Sequence, residues 1–144
     1  MNSLDRLFSG MRITSTGLSA ERMRMDVIAE NIANARTTRT PGGGPYRRKV
    51  VYFQPLLREA FLRGDSAPQG VSVPLVAEDH SSDFVRVQED GHPDADSEGM
   101  VHYPNINSVV EMADLVTAMR AYEANLTAQQ GFVQMAERAL ELLR

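Results

Sequence analysis

The chain has 144 residues, 42% of them hydrophobic and 24% charged, with a formal net charge of −4, the composition of one globular domain with a core. The net negative charge disfavours nucleic acid as a partner, because neutralising phosphates takes a basic face, and with no cysteine the fold uses neither disulfides nor thiolate-bound metal. No apolar run approaches the roughly 20 residues of a membrane helix, and Arg6, Arg12, Arg22 and Arg24 interrupt the N-terminal segment, so neither membrane insertion nor a cleaved signal is expected.

Alternating steps of four and three pass through Leu4, Phe8, Met11, Ser15, Leu18, Arg22, Met25, Ala29 and Ile32, and seven of those nine positions are apolar. This predicts an amphipathic helix over the first 35 residues, with Ile28 and Ala33 widening its stripe. Asn2 or Ser3 caps its start, and Asp5 suits the positive end of the helix dipole. Gly10 and Gly17 weaken the run by about 1 kcal/mol each relative to Ala, and permit close approach or a bend. Thr37-Thr38-Arg39-Thr40 and then Pro41-Gly42-Gly43-Gly44-Pro45 cannot continue a helix. Residues 1–36 therefore form the first unit.

Residues 37–104 change character. Arg48 to Phe53, Gly70 to Pro74 and Phe84 to Val87 read as short strands bounded by Pro, Gly and Asp. Leu56-Leu57 with Ala60-Phe61 suggests a helical turn, followed by a polar linker through Gly64, Pro68 and Gly70. Residues 88–105 are acidic and rich in turn formers.

Residues 105–144 form the last unit, a second and more regular helix. Asn107 or Ser108 starts it, and Ser108 with Glu111 has the spacing of a capping box. Its heptad line runs Met112, Leu115, Met119, Tyr122, Leu126, Gln129, Val133, Ala136, Leu140 and Leu143, all but Gln129 apolar or amphipathic. The fold expected is mainly α: long N- and C-terminal helices paired as an antiparallel coiled coil, with a small β-rich middle insert. A two-helix hairpin buries one face of each stripe, so the remaining apolar surface calls for partners. The plainer alternative is a monomer whose helices pack on the β insert.

Candidate chemistry is sparse. Asp94, Asp96 and Glu98 before Gly99 imitate the start of a calcium loop, but Asn105 stands where the closing glutamate belongs, so turn-capping is expected of these carboxylates. His80, His92 and His102 fit no common zinc spacing. Gly42 to Gly44 lacks the Lys-Ser/Thr of a phosphate loop, and nothing forms a nucleophile elbow. No metal, no cofactor and no enzymatic activity are expected. Arg36, Arg39, Arg47, Arg48 and Lys49 form one basic stretch, read either as a solvated surface or as a charge complement to a neighbouring subunit.

Several motifs, in order, are specific. Gly17-Leu18-Ser19-Ala20-Glu21-Arg22, then Asn31-Ile32-Ala33-Asn34-Ala35 with Thr37-Thr38, and Gly43-Gly44-Pro45-Tyr46-Arg47-Arg48 resemble the N-terminal signature of bacterial flagellar rod and hook proteins. His92-Pro93-Asp94-Ala95-Asp96, Glu98-Gly99, Tyr103-Pro104-Asn105-Ile106-Asn107, Glu111-Met112 and Arg120-Ala121-Tyr122-Glu123-Ala124-Asn125 resemble the proximal-rod members of that family. One departure is that Val87-Gln88-Glu89-Asp90-Gly91 leads directly into His92, where the family usually carries a longer segment.

The resemblance implies a structural subunit of the flagellar basal body, located in the rod that crosses the periplasm, exported through the flagellar type III apparatus and polymerised through its terminal helices to transmit torque. Expected partners are copies of itself, the rod subunits FlgB, FlgF and FlgG, and the adaptor FliE. The packing residues expected are Leu4, Phe8, Met11, Leu18, Met25, Ile28 and Ile32 on the first helix. On the second they are Met112, Leu115, Met119, Tyr122, Leu126, Val133, Leu140 and Leu143. The alternative functions are a soluble helical adaptor that binds one partner by helix packing, and a calcium-dependent sensor or enzyme.

Overall fold

The computed structural model describes residues 3–57 and 68–141. Its elements, in chain order, are α1 (Ser3–Ala33), β1 (Lys49–Leu57), β2 (Pro68–Glu78), β3 (Val85–Gln88), β4 (Met100–Tyr103) and α2 (Ser108–Glu141). Two helices of about 46 and 51 Å, at 1.5 Å per residue, thus enclose a β-rich insert.

α1 stops where Asn34 turns its side chain back on the helix: Asn34 Nδ2 donates to the Glu30 carbonyl at 2.9 Å, and its Oδ1 accepts from the Thr37 hydroxyl at 3.1 Å. The Glu30 carbonyl also accepts the Asn34 backbone amide at 3.0 Å, so Asn34 binds the last turn twice. α2 starts at Asn107, whose Oδ1 accepts from the amides of Val109 and Val110 at 3.0 and 3.3 Å. The cap is Asn107 rather than Ser108. Glu111 does not complete a capping box, because its carboxylate is engaged elsewhere.

The insert is two separate antiparallel hairpins, β1 with β2 and β3 with β4. β1 and β2 pair from Lys49↔Glu78 to Leu57↔Pro68, with irregularities between Tyr52 and Gln54 and between Pro55 and Leu57. Pro55 lacks an amide for the ladder, and a bulge beside it absorbs that defect. Leu56 and Leu57 are therefore strand rather than helical turn; Ala60 and Phe61 lie outside the described residues. β3 and β4 pair from Val85↔Tyr103 to Gln88↔Met100. β4 lies within a stretch read as acidic loop, because four residues among turn formers carry no legible alternation.

The helices pack side by side. A Cβ on Gly10 would meet the Phe132 ring, one on Gly17 would meet Asn125, and Asn31 bonds Glu111. The contacts thus descend α2 as they ascend α1. The β1–β2 hairpin lies on α1: the Val71 amide donates to the Thr16 hydroxyl at 3.1 Å, and that hydroxyl donates to the Ile13 carbonyl at 2.8 Å. Most buried residues gather toward one end, at Ala20, Val27, Ile28, Asn31, Tyr46, Val101, Pro104, Glu111 and Ala118, with Thr14 and Gly70 buried further along. Among the described residues of α2, none beyond Ala118 is buried.

Gly70 makes the hairpin-to-helix contact possible. Its φ is +119°, and a Cβ there would collide with the Thr16 hydroxyl, which its two hydrogen bonds hold in place. Gly70→Ala is expected to cost about 3 kcal/mol from overpacking plus backbone strain. Gly91→Ala, at φ +90° with nothing within 4 Å, carries only the strain of about 1–2 kcal/mol. Urea unfolding of the two variants measures the difference.

Candidate assembly surface and the polar clasp behind it

A fully bonded asparagine joins α1 to α2, to the start of β1 and to the loop that precedes it. Asn31 on α1 is 1% exposed. Its Nδ2 donates to the Lys49 carbonyl at 2.9 Å and to Glu111 Oε2 at 3.1 Å, and its Oδ1 accepts from the Lys49 amide at 2.9 Å and the Tyr46 hydroxyl at 3.1 Å. Two donors and two acceptor sites are all a carboxamide offers. Toward Lys49 the side chain acts as an adjacent strand would, giving one bond and taking one, so it ties the start of β1 to the helix.

Arg48 closes the clasp from the other side. Its Nε donates to Glu111 Oε1 at 2.6 Å and its Nη1 to Asp79 Oδ2 at 3.2 Å, while its backbone amide donates to Asn105 Oδ1 at 3.1 Å. Asn105 Nδ2 in turn reaches the Asp79 carbonyl at 3.2 Å. Burial works against the Arg48 cation, but the bonds to Glu111 and Asp79 outweigh it and raise its pKa. Hydrogen bonds from Ser81 and then the contact with Arg48 hold the Asp79 carboxyl below the usual range. Glu111, 1% exposed, is therefore a buried carboxylate with an Arg on one oxygen and an Asn amide on the other, the condition under which a buried charge is tolerated.

The same site sets an alkaline limit. Burial first, and then the charge of Glu30, push the Tyr46 phenol up to about 12. A phenol whose folded pKa exceeds its unfolded value contributes stability that is complete below pH 10 and lost as pH rises through the folded value. Tyr46 is expected to ionise near pH 12 in an ultraviolet titration, with stability falling from pH 10 upward. Tyr46→Phe should lose about 1 kcal/mol at neutral pH for the bond to Asn31, and should remove that late titration.

Away from the clasp, α2 carries two different faces. Its buried and half-buried residues run Glu111, Leu115, Ala118, Tyr122, Asn125, Gln129, Phe132, Ala136 and Ala139 in steps of four and three. Glu111, Asn125 and Phe132 of this line touch α1. One position further on, Met112, Met119, Leu126, Val133 and Leu140 recur every seventh residue and are all exposed, Met112 at 54% and Leu140 at 65%, with Val109 and Val116 beside them. The heptad line read from the sequence is thus divided. Leu115, Tyr122, Gln129 and Ala136 face inward, the other described members face outward, and Leu143 lies outside the described residues.

α1 shows the converse. Gly10, Thr14, Gly17, Glu21, Arg24, Ile28 and Asn31 form a buried or half-buried line at the same spacing, and six of its seven members are small or polar. Of the residues predicted to pack, Ile28 is buried and Met11, Leu18, Met25 and Ile32 are half-buried. Phe8 is 63% exposed, and the side chain of Leu4 lies outside the described residues. Glu21 Oε2 and Gln129 Oε1 are buried without a hydrogen-bond partner. The pairing within the chain is therefore the more polar contact, and the more apolar stripe of α2 is left uncovered.

The remaining motif residues shape turns. Asp96 Oδ1 accepts from the amides of Glu98 and Met100 at 2.8 and 2.9 Å, Asp94 Oδ2 accepts from the Thr38 hydroxyl at 2.8 Å, and His92 Nδ1 accepts from the Asp94 amide at 3.1 Å. Pro93 leads into that turn, and the Tyr103 hydroxyl bonds the Glu89 carboxylate at 3.0 Å. Of the carboxylates that imitate a calcium loop, Asp94 and Asp96 thus bond protein groups, and no set of three His, Asp or Glu among the described residues is placed to hold a metal ion. Part of the basic stretch is used within the chain: Arg47 stacks 4.2 Å over Phe84, Lys49 pairs with Glu30, and Arg48 serves the clasp. Arg36 and Arg39 are exposed, with Arg39 3.5 Å from Asp94.

Residues 11–39 match the family described as flagella basal body rod protein, and residues 97–142 match the C-terminal family described as flagellar basal body rod FlgEFG protein. The chain is similar to the flagellar basal-body rod protein FlgC of Borreliella burgdorferi, 42% identical over 96% of this chain and 98% of that protein. It is also similar to FlgC of Bacillus subtilis, 38% identical over 94% and 97%, and to FlgC of Agrobacterium fabrum, 38% identical over 98% of each. The two matched segments cover most of α1 and α2, the helices whose exposed faces were just described.

Proposed function

The chain belongs to the FlgC family of flagellar basal-body rod proteins and is a structural subunit of that rod, and from this premise we propose that it polymerises through the outward stripe of α2. The observation that carries the proposal is the exposed series Met112, Met119, Leu126, Val133 and Leu140. An apolar stripe of that length on a monomer marks a surface meant for another protein, and a repeat of seven suits another helix. Phe8, Met11, Leu18, Met25 and Ile32 on α1 supply further packing positions.

Within the subunit, α1 and α2 form the antiparallel coiled-coil layer nearest the rod axis, and the two hairpins project from it. Residues 1–36 and 105–144 are the axial unit and residues 37–104 the insert. The neighbours are copies of this chain, FlgB, FlgF and FlgG, with FliE as adaptor, in the rod that crosses the periplasm after type III export. Catalysis plays no part in this role: its relatives are structural rod proteins.

A tagged chain supplied to a strain lacking its own gene tests the proposal. Swimming should return, and the tag should copurify with basal bodies together with the other rod subunits. Recovery of the tag only outside basal bodies would contradict it.

A further inference from the structure

We propose that Met112 and Met119 form a redox-sensitive modification site, at which oxidation to the sulfoxide blocks addition of the free subunit to the rod. This rests on the reading of the outward α2 stripe as the assembly surface. The chain has eight methionines and no cysteine, so thioethers are its softest nucleophiles toward peroxide. Met11, Met25 and Met100 are half-buried, whereas Met112 and Met119 are 54% and 46% exposed, and Met23 and Met135 are 45% and 47% exposed. What sets Met112 and Met119 apart is that they are neighbours on the outward stripe, seven residues and about 10 Å apart.

The chemistry is an oxygen-atom transfer from hydrogen peroxide. A sulfur lone pair attacks one peroxide oxygen, the O–O bond breaks, an S–O bond forms, and the second oxygen leaves as water. Sulfur loses the two electrons that peroxide gains. The product is polar and branched at sulfur, where the stripe needs an adaptable apolar group. Burying each sulfoxide in a helix contact without a donor should weaken that contact about tenfold or more. A dithiol-driven sulfoxide reductase reverses the step, forming a disulfide and water. Once a neighbouring helix covers the stripe, peroxide no longer reaches the sulfurs, so the sensitivity belongs to the subunit before assembly.

Two measurements test this. Peptide mass mapping of the purified chain during peroxide titration should show oxygen added at Met112 and Met119 before Met25 and Met100; equal rates at all four would overturn the proposal. In a strain lacking the gene, M112Q/M119Q, which places a polar amide near each sulfoxide oxygen, should fall at least tenfold in basal-body incorporation while its circular dichroism stays that of the parent. M23Q/M135Q, which alters two exposed methionines off the stripe, should incorporate normally, and in M112L/M119L, which has no thioether there, incorporation should no longer fall after peroxide treatment of the free subunit. Normal incorporation of M112Q/M119Q, or undiminished peroxide sensitivity in M112L/M119L, would overturn the proposal while leaving the rod reading intact. Absence of even the unaltered chain from basal bodies would instead overturn the rod reading.

Discussion

Arg48→Met is expected to cost about 3–5 kcal/mol of folding stability, the range for removing one member of a buried ion pair. The residue is read as part of a plain basic run, yet among the described residues it is the only cation bonded to Glu111, which has 1% of its surface in water. Without Arg48 the carboxylate keeps a single amide donor from Asn31 and sits otherwise uncompensated. A loss of that size is a large share of the 5–15 kcal/mol that holds a typical domain. Arg48→Lys should lose less, because it keeps the charge but not the fork that spans Glu111 and Asp79. Arg48→Met combined with Glu111→Leu should recover much of the loss, since apolar replacement of both partners removes the orphaned charge. Urea unfolding checks the series: the midpoint should shift at unchanged slope. A single variant as stable as the parent would show that the clasp contributes nothing.

The second large effect separates assembly from folding. Met119→Asp with Leu126→Asp puts two charges on the outward stripe, at positions 46% and 40% exposed. The isolated chain should change by no more than about 0.5 kcal/mol per site, as for other surface substitutions. Swimming and incorporation into basal bodies should be lost, because a dry helix contact would then bury two unpaired carboxylates. Ala128→Asp, exposed on another side of α2, is the control and should leave swimming intact. If the double variant swims like the parent, the stripe is not an assembly surface.

Both helices were legible because their signals are local: apolar recurrence along each, and a Pro-Gly-Gly-Gly-Pro stop after the first. Which stripe the chain buries for itself was not. Periodicity ranks positions by apolarity, so its single line ran together Met112, Met119, Leu126, Val133 and Leu140, the side left open, with Leu115, Tyr122, Gln129 and Ala136, the side turned inward. The inner line of α1 uses Gly10, Thr14, Gly17 and Asn31, where small size and hydrogen bonding do the work, and such residues leave no hydrophobic pattern. The clasp was hidden for another reason. Asn31 and Glu111 meet across 80 positions of sequence, and nothing near either one announces the other. The family motifs singled out Asn31, Asn105 and Glu111 without saying that one network joins them. Seen in the fold, their common task is to fix the β-rich insert to the helices.

Engineered cysteines in purified basal bodies test the account most directly, since the chain has none of its own. Gly17→Cys with Asn125→Cys places thiols on side-by-side positions of α1 and α2, and oxidation should close a disulfide within one chain. Leu126→Cys, one residue along and facing outward, should instead give crosslinks between chains in the assembled rod. A Leu126→Cys thiol in assembled rods that stays open to alkylation, and forms no species larger than the monomer, would contradict the account.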